Sequence, residues 1–563
     1  MMRRIFMVKR TGGHFMPLII GMILMANTSL AQDRNEEVTI IAPYKPTILD
    51  ANKMNFQPRI PEQSRVIPSV TYTRRSELFE TSIQPEPIEA TKKPSEPRKK
   101  LQRNLIRAGF GNYITPYLEF FANTRQSKKH TVGVHLKHVS SFGEIKNYAP
   151  ADFSDTRVQV HGKKFIGENT LSGNIYYDHN LNHYYGFKPG DFPEIEFSKS
   201  DIKHRFQTFG LDAGIGSNYT IGEPLNYQVD INYHHIQDNY DAGEHRINAG
   251  ARLDKIFRFT SITEKQNFGL DMGLDYFINK DSLQEYNGGL LNLTPYISTN
   301  FNQYKFHLGI HINYRFDQTN KLRVYPVARV DIKLVENALT LFAGINGSLE
   351  RVTLRGLSEE NPFINATPEL GYKNNKFLFD AGITGSIEQN LDFRIGGSYG
   401  MIDNMPFFVN DTVNDLLNMF SLAYDDIKLL NLNAELGFKR TDALHLWLGA
   451  DYFKYYMDTE EQAWHKPEYA FRIGGDYIIT QKYILKAEMF IQGSMYARLF
   501  DEGEVLSKKI NGWTDLNLGF EYRITEQLSA FINLNNVLNN GYFRWYNYPV
   551  QKFNVLAGVS FAF

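Results

Sequence analysis

Apolar and polar residues alternate singly along most of this chain. In "QNFGLDMGLDYFIN" (266–279), Phe268, Leu270, Met272, Leu274, Tyr276 and Ile278 are apolar. Between them Gly269, Asp271, Gly273, Asp275 and Asn279 are small or polar, with Phe277 the exception. Successive side chains of a strand point to opposite faces, so the segment is predicted to be a strand with one greasy and one wet face. "DLNLGFEYRI" (515–524) and "LNLNAELGFK" (430–439) repeat the pattern. The alternation begins near residue 101 and recurs to Phe563, with Gly, Asn, Asp, Glu, Arg and Lys on the wet face. A soluble sandwich of that length would split into domains, and no linker interrupts this stretch. The pattern therefore predicts an all-β fold, a transmembrane antiparallel β-barrel with its apolar face to lipid.

The connections agree. Minimal turns are predicted near 167, 336, 389, 442, 481 and 526. Long polar loops are predicted at 142–155, 185–202, 351–374, 404–426, 458–466, 499–511 and 540–549. Outer-membrane barrels have short periplasmic turns and longer outer loops. Pairing turns with strands gives about 22 strands between 104 and 563, and an even number leaves both barrel ends in the periplasm. Aromatic clusters at "NHYYGF" (182–187), "YFKYYM" (452–457) and "GYFRWYNYP" (541–549) are expected to form an interfacial girdle.

Composition sharpens this picture. The 563 residues carry a formal net charge of −1, which gives no footprint for nucleic acid, and they contain no cysteine. Disulfides, thiolate metal sites and a lipidated cysteine are thereby excluded. Aromatics make up 14%, with 33 Tyr and 41 Phe. Residues 1–31 read as a secretory signal: Arg3, Arg4, Lys9 and Arg10 precede the apolar run 15–26, and Ser29 and Ala31 sit at the cleavage positions. Residues 32–100 hold nine prolines and end in the basic run "KKPSEPRKK". Proline breaks helices and removes a ladder donor, so this is an extended segment without a core. It is periplasmic or threads the lumen of the 101–563 barrel.

The final stretch "LNNVLNNGYFRWYNYPVQKFNVLAGVSFAF" (534–563) resembles the C-terminal strands of TonB-dependent receptors. The resemblance covers the barrel. It implies outer-membrane lipid around the barrel in a Gram-negative bacterium. It also implies that Phe553, Val555, Val559, Phe561 and Phe563 of the last strand address the barrel assembly machinery. In that family the mature chain opens with a β-prone TonB box, which Glu37, Val38, Thr39, Ile40, Ile41 and Ala42 resemble. A globular plug normally follows. Here only the proline-rich stretch separates Ala42 from the barrel, so a plugless barrel is expected. The 36–46 segment then pairs with an energy-coupling partner, docks on another outer-membrane or periplasmic protein, or enters the lumen. The reading that follows is an accessory subunit of a multi-protein outer-membrane complex. The alternative is a transporter or porin for a solute, TonB-linked or not.

Catalytic and metal motifs do not emerge. His234 and His235 are strand neighbours expected on opposite faces. Gly214 and Gly216 in "GIGSNYTIG" lack the Lys-Ser/Thr ending of a phosphate loop and read as small lumen-side positions. "DNYDAGEH" (238–245) lacks the spacing of a helix-loop-helix calcium site. The sequence calls for no cofactor and no enzymatic activity.

Overall fold

A computed structural model describes residues 102–563 apart from 126, 218–224, 258–265, 389, 413–415 and 502–503. The signal, the proline-rich segment and Glu37–Ala42 lie outside the described residues. Twenty-two antiparallel strands form one sheet, each paired with its neighbours in chain order. The first strand, Asn104–Gly111, pairs with the last, Asn554–Ala562, and this pairing closes the barrel. Closure removes the unpaired strand edges that lipid would not tolerate.

The alternation read from the sequence is the in–out alternation of the wall. Val160, Ile175, Ile231, Ile247 and Ile310 are exposed on the outer surface, each above 40%. Polar partners meet on the inner surface, where Arg246 grips Asp275 at 2.6 and 2.8 Å and Arg252 grips Asp271 at 2.8 and 3.2 Å. Phe277, the exception in its strand, is also inward. It is buried at 1% exposure beneath the Arg351 guanidinium, 3.4 Å from the ring centre. In the last strand, Val559 and Phe561 are exposed outward while Leu556 and Ser560 are buried.

Turns gather on one rim, at 167–168, 302–303, 336–338, 388–390, 441–443, 480–482 and 524–527. The barrel's two ends meet on the same rim, where the Asn104 amide donates to the Phe563 carbonyl at 3.0 Å. Two expected loops are different. The 404–426 region is mostly strand: Leu391–Asn410 and Phe420–Arg440 stay paired past a bulge between Ile402 and Met405, leaving only 411–419 as connection. Asn404 and Pro406 look like loop residues, but Asn404 takes a positive φ of 52° in the bulge and Pro406 lies in register with Tyr424. The 499–511 region holds part of a separate hairpin, Met495–Asp501 against Glu504–Ile510.

The aromatic clusters also divide. Tyr452 and Tyr456 are exposed, as a girdle requires. Tyr184, Phe187, Trp545 and Tyr548 are instead buried in one core formed by the loops. Their loops pack together over the mouth, which leaves each of these four rings under 10% exposed.

Candidate functional site

The long connections converge into a cap. Its core unites the connections 184–202, 352–371 and 411–419 with 536–553, through buried residues such as Tyr184, Leu357, Ile364, Phe420 and Tyr548. Asn418 donates from its side chain to the Tyr184 carbonyl at 2.8 Å. Tyr184 follows the fifth strand and Asn418 the fifteenth, ten positions apart in a ring of 22, so this bond joins nearly opposite walls. Tyr184 Oη donates to the Ile364 carbonyl at 2.8 Å, and Tyr185 Oη to the Pro549 carbonyl at 2.9 Å. Tyr548 Oη donates to the Asn418 carbonyl. Burial pushes the Tyr184 and Tyr548 phenols up, so both stay protonated donors. The Phe363 and Tyr548 rings stack with centres 3.8 Å apart.

Each loop is drawn inward by identifiable residues. Helix α1 (Leu354–Glu360) starts at Thr353, whose hydroxyl accepts from the Gly356 amide at 3.0 Å. Its Leu354 amide donates to Glu244 Oε2 on the barrel wall at 3.0 Å. Glu244, fully buried, also binds His234 at 3.2 Å and Asn279 at 3.1 Å. On the other side Arg355 donates to Tyr176 Oη. Tyr176 can lie against the wall because residue 210 is glycine; a Cβ there would sit 2.0 Å from the Tyr176 ring. The asparagine-rich run works in the same way for the last loop. Asn536 Nδ2 donates to the Asn540 carbonyl at 2.8 Å, and the Asn540 amide returns a bond to Asn536 Oδ1 at 3.0 Å.

His465 packs on this core, buried against Phe420 and Trp545, with ring centres 5.3 Å away in each case. One ring nitrogen, Nδ1, bonds to the Phe408 carbonyl at 2.9 Å. The other is buried with no protein partner among the described residues. Burial pulls its pKa down to about 4, and the Lys466 charge adds to that.

Beneath the cap lies a cavity of about 300 Å³, bounded by cap residues above and by the lumen wall of the second to seventh strands and the final strands. Arg157 grips Asp178 on this wall with bonds of 2.6 and 2.8 Å. Asn180 donates to Asp155 at 2.9 Å, and Arg355 to Glu359 at 3.0 Å.

Phe553, Val555, Val559, Phe561 and Phe563 lie along the final strand and its flanks; Phe553, Val559, Phe561 and Phe563 are exposed, while Asn554 and Leu556 of the same strand line the cavity. His234 faces Glu244 inside, while His235 stacks on His245 with centres 4.0 Å apart. Gly214 is a close-contact position, where a Cβ would meet Asp230 Oδ1 at 2.5 Å and Ser172 Oγ at 2.9 Å. Asp238 spends its oxygens on the Tyr240 and Ala242 amides and on His204. Among the described residues no group of three or more His, Asp or Glu is placed to hold a metal.

No family model matches the chain, and no curated sequence matches it. Solved structures do match in fold. The ferric-catecholate import receptor Fiu of E. coli K12 aligns with a TM-score of 0.62 at 11% identity, covering 83% of this chain and 82% of that one. The pyoverdine outer membrane receptor FpvA of Pseudomonas aeruginosa PAO1 gives 0.62 at 12% identity, covering 84% and 79%. The FrpB iron transporter of Neisseria meningitidis gives 0.62 at 10% identity, covering 83% and 82%. At such identities the likeness is one of fold: the chain is a 22-stranded antiparallel barrel built like those of outer-membrane receptors.

Proposed function

We infer that the chain is an outer-membrane barrel of a Gram-negative cell, acting as the membrane-embedded accessory subunit of a multi-protein complex for envelope assembly, export or uptake. The cap carries this reading. Loops from nearly opposite walls share one buried core, which suits a barrel that anchors other components better than one that passes solute steadily. The barrel's first strand starts on the rim of short turns, which supports a periplasmic position for residues 32–100. Glu37–Ala42 would then dock a partner by strand addition, with backbone hydrogen bonds supplying affinity. In this reading the barrel has no plug, and the cap seals the mouth.

The test is affinity purification from gently solubilised membranes, using the full chain and a variant lacking residues 32–100. Stoichiometric companions with the first, lost from the second, are expected. A lone barrel from both contradicts the reading.

A second reading, solute transport, is favoured by the polar lumen wall and the cavity beneath the cap. The fold likeness to import receptors is compatible with it. It expects solute flux in liposomes and a nutrient-specific growth defect on deletion.

A further inference from the structure

The sixth strand, Lys203–Ser217, leaves the cap and runs down the wall. Its even-numbered upper residues face inward: His204 is buried in the cap, and Phe206 and Thr208 line the cavity. Lys203, Arg205, Gln207, Phe209 and Leu211 therefore share the outer face. Phe209 and Leu211 are exposed there, beside the equally exposed Tyr177 and Ile175 of the fifth strand, with which they pair. These four make an apolar strip two strands wide. Above the strip the face changes character. Thr156, His179, Gln207 and Gln237 lie side by side in register on the fourth to seventh strands. Gln207 donates to Tyr177 Oη at 2.7 Å. Two and four residues nearer the outer rim stand Arg205 and Lys203, both partly exposed.

Both cations project from a fixed backbone. Asn239 Oδ1 accepts from the Arg205 amide at 2.7 Å, and Asn239 Nδ2 donates to the Lys203 carbonyl at 3.1 Å. Tyr240 Oη donates to that carbonyl at 3.0 Å. Neither cationic side chain has an acidic partner among the described residues. Acids of the adjoining loops are engaged already: Asp152 by Lys199 at 2.5 Å, Asp238 by His204 at 3.1 Å and Asp201 by the Ser198 amide at 2.8 Å. Elsewhere on the rim, Lys373 and Lys376 are matched by Glu350 and Asp403 at 2.7 and 2.8 Å. Alternate residues of a strand stand about 7 Å apart, within joint reach of one phosphate for side chains of this length.

We propose that Lys203 and Arg205 hold the phosphate of an outer-leaflet lipid, whose acyl chains lie on Tyr177, Ile175, Phe209 and Leu211. A guanidinium fork and an ammonium point charge are both apt phosphate partners. Their unmatched charge selects an anion, and the apolar strip directly below selects one joined to hydrocarbon. A soluble anion would use the first feature and leave the second idle. The polar row at Thr156, His179, Gln207 and Gln237 lies between the two, at headgroup depth. The assignment rests on the outer-membrane placement of the barrel. It holds for an accessory subunit and for a transporter alike.

The experiment uses the full-length protein in detergent, with native mass spectrometry to count what stays bound. The probes are bisphosphorylated lipid A, the same lipid A after removal of its phosphates, and inorganic phosphate. Saturable retention of lipid A is expected, with the dephosphorylated form at least about 10-fold weaker and inorganic phosphate not retained. Lys203→Gln and Arg205→Gln should each weaken retention about 5-fold, the worth of one cation at an anionic lipid surface, and the double variant more. Lys373→Gln, which removes a cation already matched by Glu350, should leave it unchanged. Circular dichroism should be the same for all variants. Equal retention of the dephosphorylated lipid, retention of inorganic phosphate in its place, or full lipid A affinity in the double variant would overturn the assignment. A protein that inserts into phosphatidylcholine vesicles yet retains no lipid A loses this site and keeps its barrel. A protein that inserts into no vesicle loses both.

Discussion

At the scale of single residues, His465 gives the cap a pH dependence whose sign follows from its surroundings. Its pKa falls from an ordinary 6.5 to about 4 in the folded cap. Between those values the unfolded loop binds a proton that the folded one excludes, so stability rises with pH across the window. The cap is fully stable above about pH 6.5 and loses of order 3 kcal/mol as pH falls through about 4. Hydrogen exchange of residues 458–468 measured from pH 7 to 4 should show protection falling with acid, and His465→Gln should flatten that slope. An unchanged slope in the variant would remove His465 from the account. Gly210 supplies a second test. A Cβ there meets the Tyr176 ring, so Gly210→Val should displace Tyr176, release Arg355 and cost about 1–3 kcal/mol. A lower urea midpoint with greater exchange across α1 would report it.

At the scale of elements, the start of α1 is tied to the barrel wall through one buried carboxylate. Glu244→Ala would remove the partner of His234 Nε2, Asn279 Nδ2 and the Leu354 amide together. A loss of about 3 kcal/mol is expected, since each buried group left unpaired costs about 1–3. Limited trypsin digestion should then cut at Arg355 in the intact barrel, and resistance equal to the parent would contradict the anchoring role. The strands themselves were legible because a half-lipid, half-water wall imposes period 2 on every one, and most minimal turns are marked by polar or glycine residues. The paired extension 405–410 was not legible. Pro406 and Asn404 carry loop chemistry, and only the facing strand Phe420–Arg440 makes them part of a ladder.

At the scale of the whole molecule, the cap was the feature least visible in the sequence. "NHYYGF" and "GYFRWYNYP" have the composition of a membrane girdle. What makes them a core is contact between residues far apart in the chain, such as Tyr185 with Pro549 across 364 positions. Local pattern carries no such information. The wall shows lipid where its apolar residues lie; the mouth is defined by which loops reach one another.

The closed mouth is therefore the claim on which the functional reading stands, and conductance tests it most directly. Planar bilayers are to be studied with the full chain, with a variant lacking residues 32–100, and with a cap-broken variant, Phe420→Ala with Trp545→Ala. The account predicts little conductance from the first two and steady open-channel current from the third. A large, steady current through the unaltered chain would contradict it, and so would a barrel that stays shut after its cap core is removed.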